Sequence, residues 1–99
     1  MPFMVARRRL EPGDFDAWES RFRAGSGERK AAGCRGVRRF RGTQDENELM
    51  IIFDWETIAH ARAFVAGKEA QVPQLLELRE DGTPKHSYFF VDELPPLES

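Results

Sequence analysis

The spacing of hydrophobic and polar positions changes several times along the chain, and each change marks a new element. In segment 3–10, side chains alternate between two faces, and this two-residue period predicts a strand. From Phe15 the period lengthens, so that Phe15, Trp18 and Phe22 fall on one stripe of a helix. Asp14 stands just before this stripe and is expected to be the N-cap. The chain therefore begins with a predicted strand and an amphipathic helix.

The middle of the chain predicts two strands joined by a short connection. Residues 36–43 and 49–55 have strand patterns, and only the polar residues 44–47 and Glu48 separate them. A connection this short implies an antiparallel hairpin. The predicted elements that follow are a helix capped by Thr57 and ending at Gly67, a helical piece over 73–80 and a last strand over 86–91.

This order predicts the fold class. Strand, helix, strand, strand, helix and strand is the ferredoxin-like βαββαβ arrangement, an α+β fold with a four-stranded antiparallel sheet and its helices on one face. We expect a single domain over 1–92, followed by a tail over 93–99. Segments 49–53 and 88–91 are apolar at every position, which is typical of strands buried on both sides. Because the helices cover one face only, we expect a second copy of the chain to cover the other, forming a homodimer.

Composition excludes several classes of protein. The chain has 99 residues, and no apolar run approaches the roughly 20 residues that span a bilayer, so no membrane partner is expected. Cys34 is the single cysteine, which excludes an internal disulfide or a multi-cysteine metal site and suits a cytoplasmic protein. The net charge of −2 divides into +6 over residues 1–41 and −8 over residues 42–99. The basic residues are spread over several elements, so nucleic-acid binding is not expected.

Three stretches carry a resemblance to a known family. They are Asp14-Phe15-Asp16-Ala17-Trp18 at a helix start, Ala31-Ala32-Gly33-Cys34-Arg35-Gly36 before the second strand, and Ile51-Ile52-Phe53-Asp54-Trp55-Glu56-Thr57, where a strand runs into a helix. Over about residues 3–92 the chain resembles the dimeric α+β barrel superfamily. Within it, the closest resemblance is to antibiotic biosynthesis monooxygenases and related small polyketide cyclases. The stretches are signatures of the fold more than of a reaction.

The resemblance implies a homodimer with a pocket between sheet and helices in each subunit. It also implies a small aromatic or polyketide-like ligand, and an oxygenase or cyclase that uses no cofactor and no metal. A haem-degrading branch of the superfamily has an asparagine where this chain has Arg7, and a tryptophan near the position of Phe64. That branch also has an iron-ligating histidine further along the second helix, where this chain has none. Haem chemistry is therefore not expected.

Two histidines are the candidate proton acceptors, because an imidazole has an ordinary pKa of about 6.5. His86 begins the last strand, and alternation places it on the face of Tyr88, where the pair can bracket a phenolic substrate. The alternative is a rim pair at a dimer interface. His60, near the start of the second helix, is either a second candidate base or a surface residue. Asp54 could serve as base only if burial raised its pKa strongly, and helix capping is its alternative role.

The remaining candidates would bind substrate or stabilise an anion. Arg38, within a predicted strand, is a candidate to hold an enolate or phenolate, and Arg7 a candidate substrate contact. The alternative for both is a salt bridge on the sheet surface or between subunits.

Three aromatic residues, Trp18, Phe22 and Trp55, offer flat surfaces for a polycyclic ligand or, alternatively, simply fill the core.

Two functions of different classes remain open. The first is an enzyme that removes a proton from a phenol or β-diketone and then oxidises or cyclises the anion. The second is a non-catalytic homodimer that binds a small ligand or assists another enzyme. An enzyme requires a cavity of about 300 Å³ or more with an inward-pointing His, Tyr or Arg, whereas a filled core favours the second function.

Overall fold

The computed structural model describes residues 2–97, without the side chains of residues 73 and 74. It contains four strands, three α-helices and one 3-10 helix. In chain order these are β1 (Pro2–Arg9), α1 (Phe15–Ala24), α2 (Ser26–Ala31), β2 (Cys34–Arg41), β3 (Glu48–Trp55), α3 (Ile58–Gln71), the 3-10 helix Pro73–Leu76 and β4 (His86–Asp92).

The four strands form one antiparallel sheet in the order β2-β3-β1-β4. In the middle of the sheet, Ala6 of β1 pairs with Ile51 of β3 on one side and with Tyr88 of β4 on the other. This confirms the predicted α+β, ferredoxin-like βαββαβ fold. Since directly opposite residues share a face, the register also fixes which side chains point toward the helices.

The core lies between the sheet and the helices, and a chain of aromatic rings runs through it. The ring centroids are 5.1 Å apart for Trp18 and Phe22, 6.1 Å for Phe22 and Phe53, 6.3 Å for Phe53 and Trp55, and 5.2 Å for Trp55 and Phe64. These contacts link α1 through β3 to α3. The aromatic spacing read from the sequence therefore identifies residues that hold both long helices on the sheet.

The opposite face of the sheet, here called the outer face, is also rich in apolar side chains. It carries Val5, Met50, Ile52, Phe40 and Phe89. Phe40 is 39%, Met50 37% and Phe89 52% exposed. Segments 49–53 and 88–91 are apolar at every position because they contribute to both faces of the sheet. One face packs against the helices, and the other is the outer face, which the helices of residues 2–97 leave uncovered.

Three predicted elements have wrong boundaries, and the first is the second strand, which was predicted over 36–43 and spans Cys34–Arg41. The predicted end of the second helix at Gly67 is passed, and α3 continues to Gln71. The helix stops where Val72 leaves helical geometry, with φ −126° and ψ 81°, because a residue before proline is disfavoured in the helical region. The predicted helical piece over 73–80 is helical only as far as Leu76. Beyond it, Leu78 forms an isolated β-bridge with Pro84, which requires extended backbone.

Two glycines account for the turn between the first helix and β2. Gly25 separates α1 from the short helix α2, and Gly33, the expected C-cap, has a φ of 102°. This left-handed backbone favours glycine and turns the chain into β2. No helix among residues 2–97 is long and apolar enough to cross a membrane.

Candidate functional site

The helix-facing side of β4 carries a row of three rings. The centroids of His86 and Tyr88 are 6.4 Å apart, and those of Tyr88 and Phe90 are 6.0 Å apart. Helix α3 lies over this row, with the Arg62 guanidinium 5.4 Å from the centre of the Phe90 ring. Strand alternation predicted that His86 and Tyr88 share a face, and the structure confirms it.

His86 is half-buried at the start of β4. Its Nδ1 atom is buried and has no hydrogen-bond partner among the described residues. Burial lowers the pKa of His86 below its usual 6.5, the charge of Arg8 lowers it further, and Glu69 partly opposes both. The imidazole is therefore neutral at pH 7, which is the form that accepts a proton.

Tyr88 is the neighbouring group that can form a hydrogen bond with a substrate oxygen. Burial raises the pKa of its phenol, and the Glu69 carboxylate raises it further by its charge and by accepting a hydrogen bond from the hydroxyl, whereas Arg62 lowers it. The hydroxyl consequently stays protonated near pH 7, and a substrate oxygen would replace Glu69 as the acceptor of its O–H. A neutral histidine and a protonated tyrosine on one strand form an acceptor–donor pair.

Arg8 joins this row from the adjacent strand and was missed by the sequence analysis as a candidate. In the β1–β4 register Arg8 lies directly opposite His86. It shares the helix-facing side of β1 with Met4 and Ala6, both of which are buried. Burial lowers the pKa of its guanidinium, and the neighbouring Arg21 lowers it further. The signal that could have found it is a charged residue at an apolar position of the strand alternation.

A cavity of about 240 Å³ opens beside Arg8, and Leu10, Arg21 and Glu77 are among the side chains that line it. Its volume is slightly below the about 300 Å³ expected of an enzyme pocket. The cavity lies next to His86 because Arg8 is its direct cross-strand neighbour.

His60 lies elsewhere, in the first turn of α3, and is exposed. Its backbone N–H donates to the Thr57 hydroxyl at 3.0 Å, and its Nδ1 is 2.6 Å from the same oxygen. Thr57 is thus the helix cap that the sequence predicted. Asp54, the alternative base, does not provide this cap, and its Oδ1 is buried with no hydrogen-bond partner in the described part of the chain.

Arg38 and Arg7 lie on the outer face of the sheet. In the register they are opposite Ile52 and Met50, respectively, and both are exposed. The Arg38 guanidinium is 5.3 Å from the centre of the Phe40 ring. The sheet therefore separates both arginines from His86 and Tyr88.

The three aromatic candidates are packed in the core. Trp18 is 7% exposed, and Trp55 is completely buried, with no accessible surface for a ligand. Phe22 is half-buried, and the Arg29 guanidinium covers its ring at 3.9 Å. In the structure these side chains hold the helices on the sheet.

A larger open groove of about 650 Å³ surrounds Cys34, with Arg29, Lys30 and Arg35 among its lining residues. Cys34 is buried, as expected, and burial raises the pKa of its thiol, so the reactive thiolate is disfavoured. No His or Tyr lines this groove within the described chain. The larger groove and the candidate acid–base groups His86 and Tyr88 are therefore in different places. Nor do residues 2–97 contain a cluster of three His, Cys, Asp or Glu side chains that could hold a metal ion.

Comparison with known proteins assigns the family. The sequence profile of the antibiotic biosynthesis monooxygenase family matches residues 1–74. The chain belongs to the antibiotic biosynthesis monooxygenase family. No curated protein sequence matches this family member significantly.

Several solved structures share the fold at low sequence identity. A variant of SnoaB, a cofactor-independent oxygenase from Streptomyces nogalater, has a TM-score of 0.71 and 15% identity, over 99% of this chain and 97% of that one. An antibiotic biosynthesis monooxygenase has a TM-score of 0.68 and 16% identity, over 96% and 100%. A variant of MhuD with two manganese protoporphyrin IX molecules per active site has a TM-score of 0.63 and 16% identity, over 100% of both chains.

Proposed function

We propose that this family member is a small cofactor-independent monooxygenase that acts on phenolic, polyketide-like aromatic molecules at the His86–Tyr88 row. One observation carries the proposal: a half-buried histidine, whose pKa is lowered, is next to a protonated tyrosine on the helix-facing side of β4. The family match and the description of SnoaB as a cofactor-independent oxygenase support it.

The reaction begins with a proton transfer. His86 takes a proton from an acidic C–H or O–H of the substrate, and the Tyr88 hydroxyl donates a hydrogen bond to the oxygen that becomes anionic. The positive charge of Arg8 beside His86 favours this anion. A general base contributes about 10²–10⁴ in rate, and electrostatic stabilisation of the anion adds to it.

Oxygen then reacts with the substrate anion itself. For a substrate methylene, one electron passes from the carbanion to O2, and the radical and superoxide combine into a C–O bond. The resulting peroxide takes the proton from His86. Loss of the second C–H proton breaks the O–O bond, leaving a ketone and releasing water. The methylene and O2 thus become a carbonyl and water, and no external reductant is consumed.

Haem is not part of this proposal, although the MhuD structure contains a porphyrin. The one histidine of α3 is His60, which is exposed and has its Nδ1 held by the Thr57 hydroxyl at 2.6 Å. Cys34, the single cysteine of the chain, is buried with a raised thiol pKa. Neither His60 nor Cys34 therefore offers a free ligand to a haem iron, and His86, the other histidine of the chain, is assigned here to proton transfer.

The proposed activity is tested by oxygen uptake with a small anthrone, 1,8-dihydroxyanthrone. We expect the protein to consume one O2 per quinone formed, above the rate of spontaneous oxidation, with no added flavin or metal and in the presence of a chelator. Uptake no faster than the protein-free control would refute the proposal. A new product formed without O2 consumption would also contradict the oxygenase.

We also propose a homodimer that buries the outer face. Light scattering at micromolar concentration should give about twice the chain mass of 11.4 kDa. Ile52→Asp places a charge at the centre of this face and should yield monomers. Leu76→Asp, at a position that is 62% exposed and outside the sheet, is the matched control and should stay dimeric. A monomeric wild-type protein would rule the dimer out.

A further inference from the structure

The cavity beside Arg8 contains more positive charge than the proposed proton transfer requires. Four cationic residues line it: Arg8, Arg9, Arg21 and Lys85. Arg8 and Lys85 flank His86, because Arg8 is its cross-strand partner and Lys85 precedes it in the chain. These charges can bind an anion only where carboxylates of the protein do not already balance them.

Two of the four cations are balanced by local carboxylates. The Lys85 ammonium lies 3.0 Å from Glu11 Oε1 and 3.4 Å from Glu77 Oε2. The Arg9 guanidinium lies 2.6 Å from Asp45 Oδ2 and 2.8 Å from Glu48 Oε1.

Arg8 and Arg21 are the two that remain. Across residues 2–97 neither forms an ion pair, and the buried Nε of Arg8 has no hydrogen-bond acceptor. Glu77, which pairs with Lys85, offsets the repulsion of Arg8 by Arg21 only in part. Asp14 also lines the cavity but is not ion-paired to either arginine in this part of the chain. A partly buried guanidinium without an acceptor is costly, and a second cation nearby adds repulsion. Both costs are removed by an anion that bridges the two groups.

We infer that Arg8 and Arg21 bind a carboxylate carried by a planar aromatic substrate. Guanidinium groups match the planar, two-oxygen geometry of a carboxylate. From Arg8 the row of His86, Tyr88 and Phe90 extends along β4 in steps of 6.4 and 6.0 Å, which suits a fused ring system. The position of the ring rests on the proposed function, whereas the carboxylate site rests on the two arginines alone.

The test compares an acid with its neutral analogue. The probes are 6-hydroxy-2-naphthoate and 6-hydroxy-2-naphthamide, which share the phenol and the ring and differ in charge. We expect calorimetric titration of the full chain to show about tenfold tighter binding of the acid. Arg21→Gln, at an exposed position of α1, should remove this preference and leave binding of the amide unchanged. Arg8→Gln should also remove the preference for the acid, and Arg8→Lys should restore part of it.

Arg23→Gln is the matched control, since Arg23 lies on the same helix and pairs with Glu19 instead. It should keep the full preference for the acid. Equal binding of acid and amide by the wild type, or an unchanged preference in Arg21→Gln, would overturn the carboxylate site. If Arg8→Gln fails to fold, Arg21→Gln still decides.

The two proposals fail separately. A preference for the acid with no oxygen uptake on the anthrone would refute the oxygenase and keep the carboxylate site. Oxygen uptake with the anthrone but no preference for the acid would refute the carboxylate site and keep the oxygenase.

Discussion

Replacing Trp18 with alanine is expected to lower the free energy of unfolding by about 3–5 kcal/mol. Trp18 is the one buried residue of α1, at 7% exposure. Its ring contacts Phe15 and Phe22 at centroid distances of 5.8 and 5.1 Å. Truncation removes the anchor of the helix and leaves a cavity that the neighbouring rings only partly fill. Denaturant unfolding followed by circular dichroism measures the change.

Trp18→Phe is the matched control, because it keeps an aromatic ring and should cost less than half as much. Wild type and variants must be compared at equal protein concentration, since dimer formation would contribute to the measured stability. A loss below about 1 kcal/mol for Trp18→Ala would contradict a core role and indicate that the ring lines an open cavity.

The fold could be predicted because its determinants are local. The helical stripe of Phe15, Trp18 and Phe22 is set by spacing within one turn or two. The hairpin of β2 and β3 follows from a connection too short for any other arrangement. Even the two-sided apolar character of β3 is readable, and it anticipates the exposed outer face. Such features depend on neighbours in the sequence, so they can be predicted without knowledge of tertiary contacts.

Boundaries after residue 66 were less predictable because they depend on competition between elements. Gly67 is tolerated inside α3, and the helix ends only before Pro73, where backbone geometry forbids continuation. Leu78 would continue a helical pattern, but its β-bridge with Pro84 holds its backbone in an extended conformation. Neither outcome is encoded in a short window of residues.

The site could be predicted only in part for the same reason. Alternation is enough to place His86 beside Tyr88. By contrast, placing Arg38 and Arg7 on the other face from that pair, and Arg8 beside it, requires the registers of β1 and β2 with their neighbouring strands. A shift of one residue moves every side chain of a strand to the other face. The arginine that matters is therefore recognisable only as a charge among the buried residues Met4 and Ala6.

His86→Ala should reduce turnover at least about a hundredfold if His86 is the general base. The assay is oxygen uptake with 1,8-dihydroxyanthrone. Because the pKa of His86 is lowered by burial and by Arg8, the neutral base persists below pH 6.5. The midpoint of the decline in wild-type activity toward acid pH should therefore lie below pH 6.5, as the imidazole becomes protonated. The residual activity of His86→Ala should lack this decline.

His60→Ala is the control for His86→Ala, because it removes a histidine that lies outside the proposed site. His60 contacts Thr57 at the start of α3 and is exposed, so its loss should cost less than about tenfold. The circular dichroism and light-scattering mass of both variants must match the wild type, which excludes unfolding as the cause. Equal, small losses would mean that neither histidine removes the proton. Deprotonation would then rest on the substrate's own acidity, with Arg8 lowering the cost of the anion.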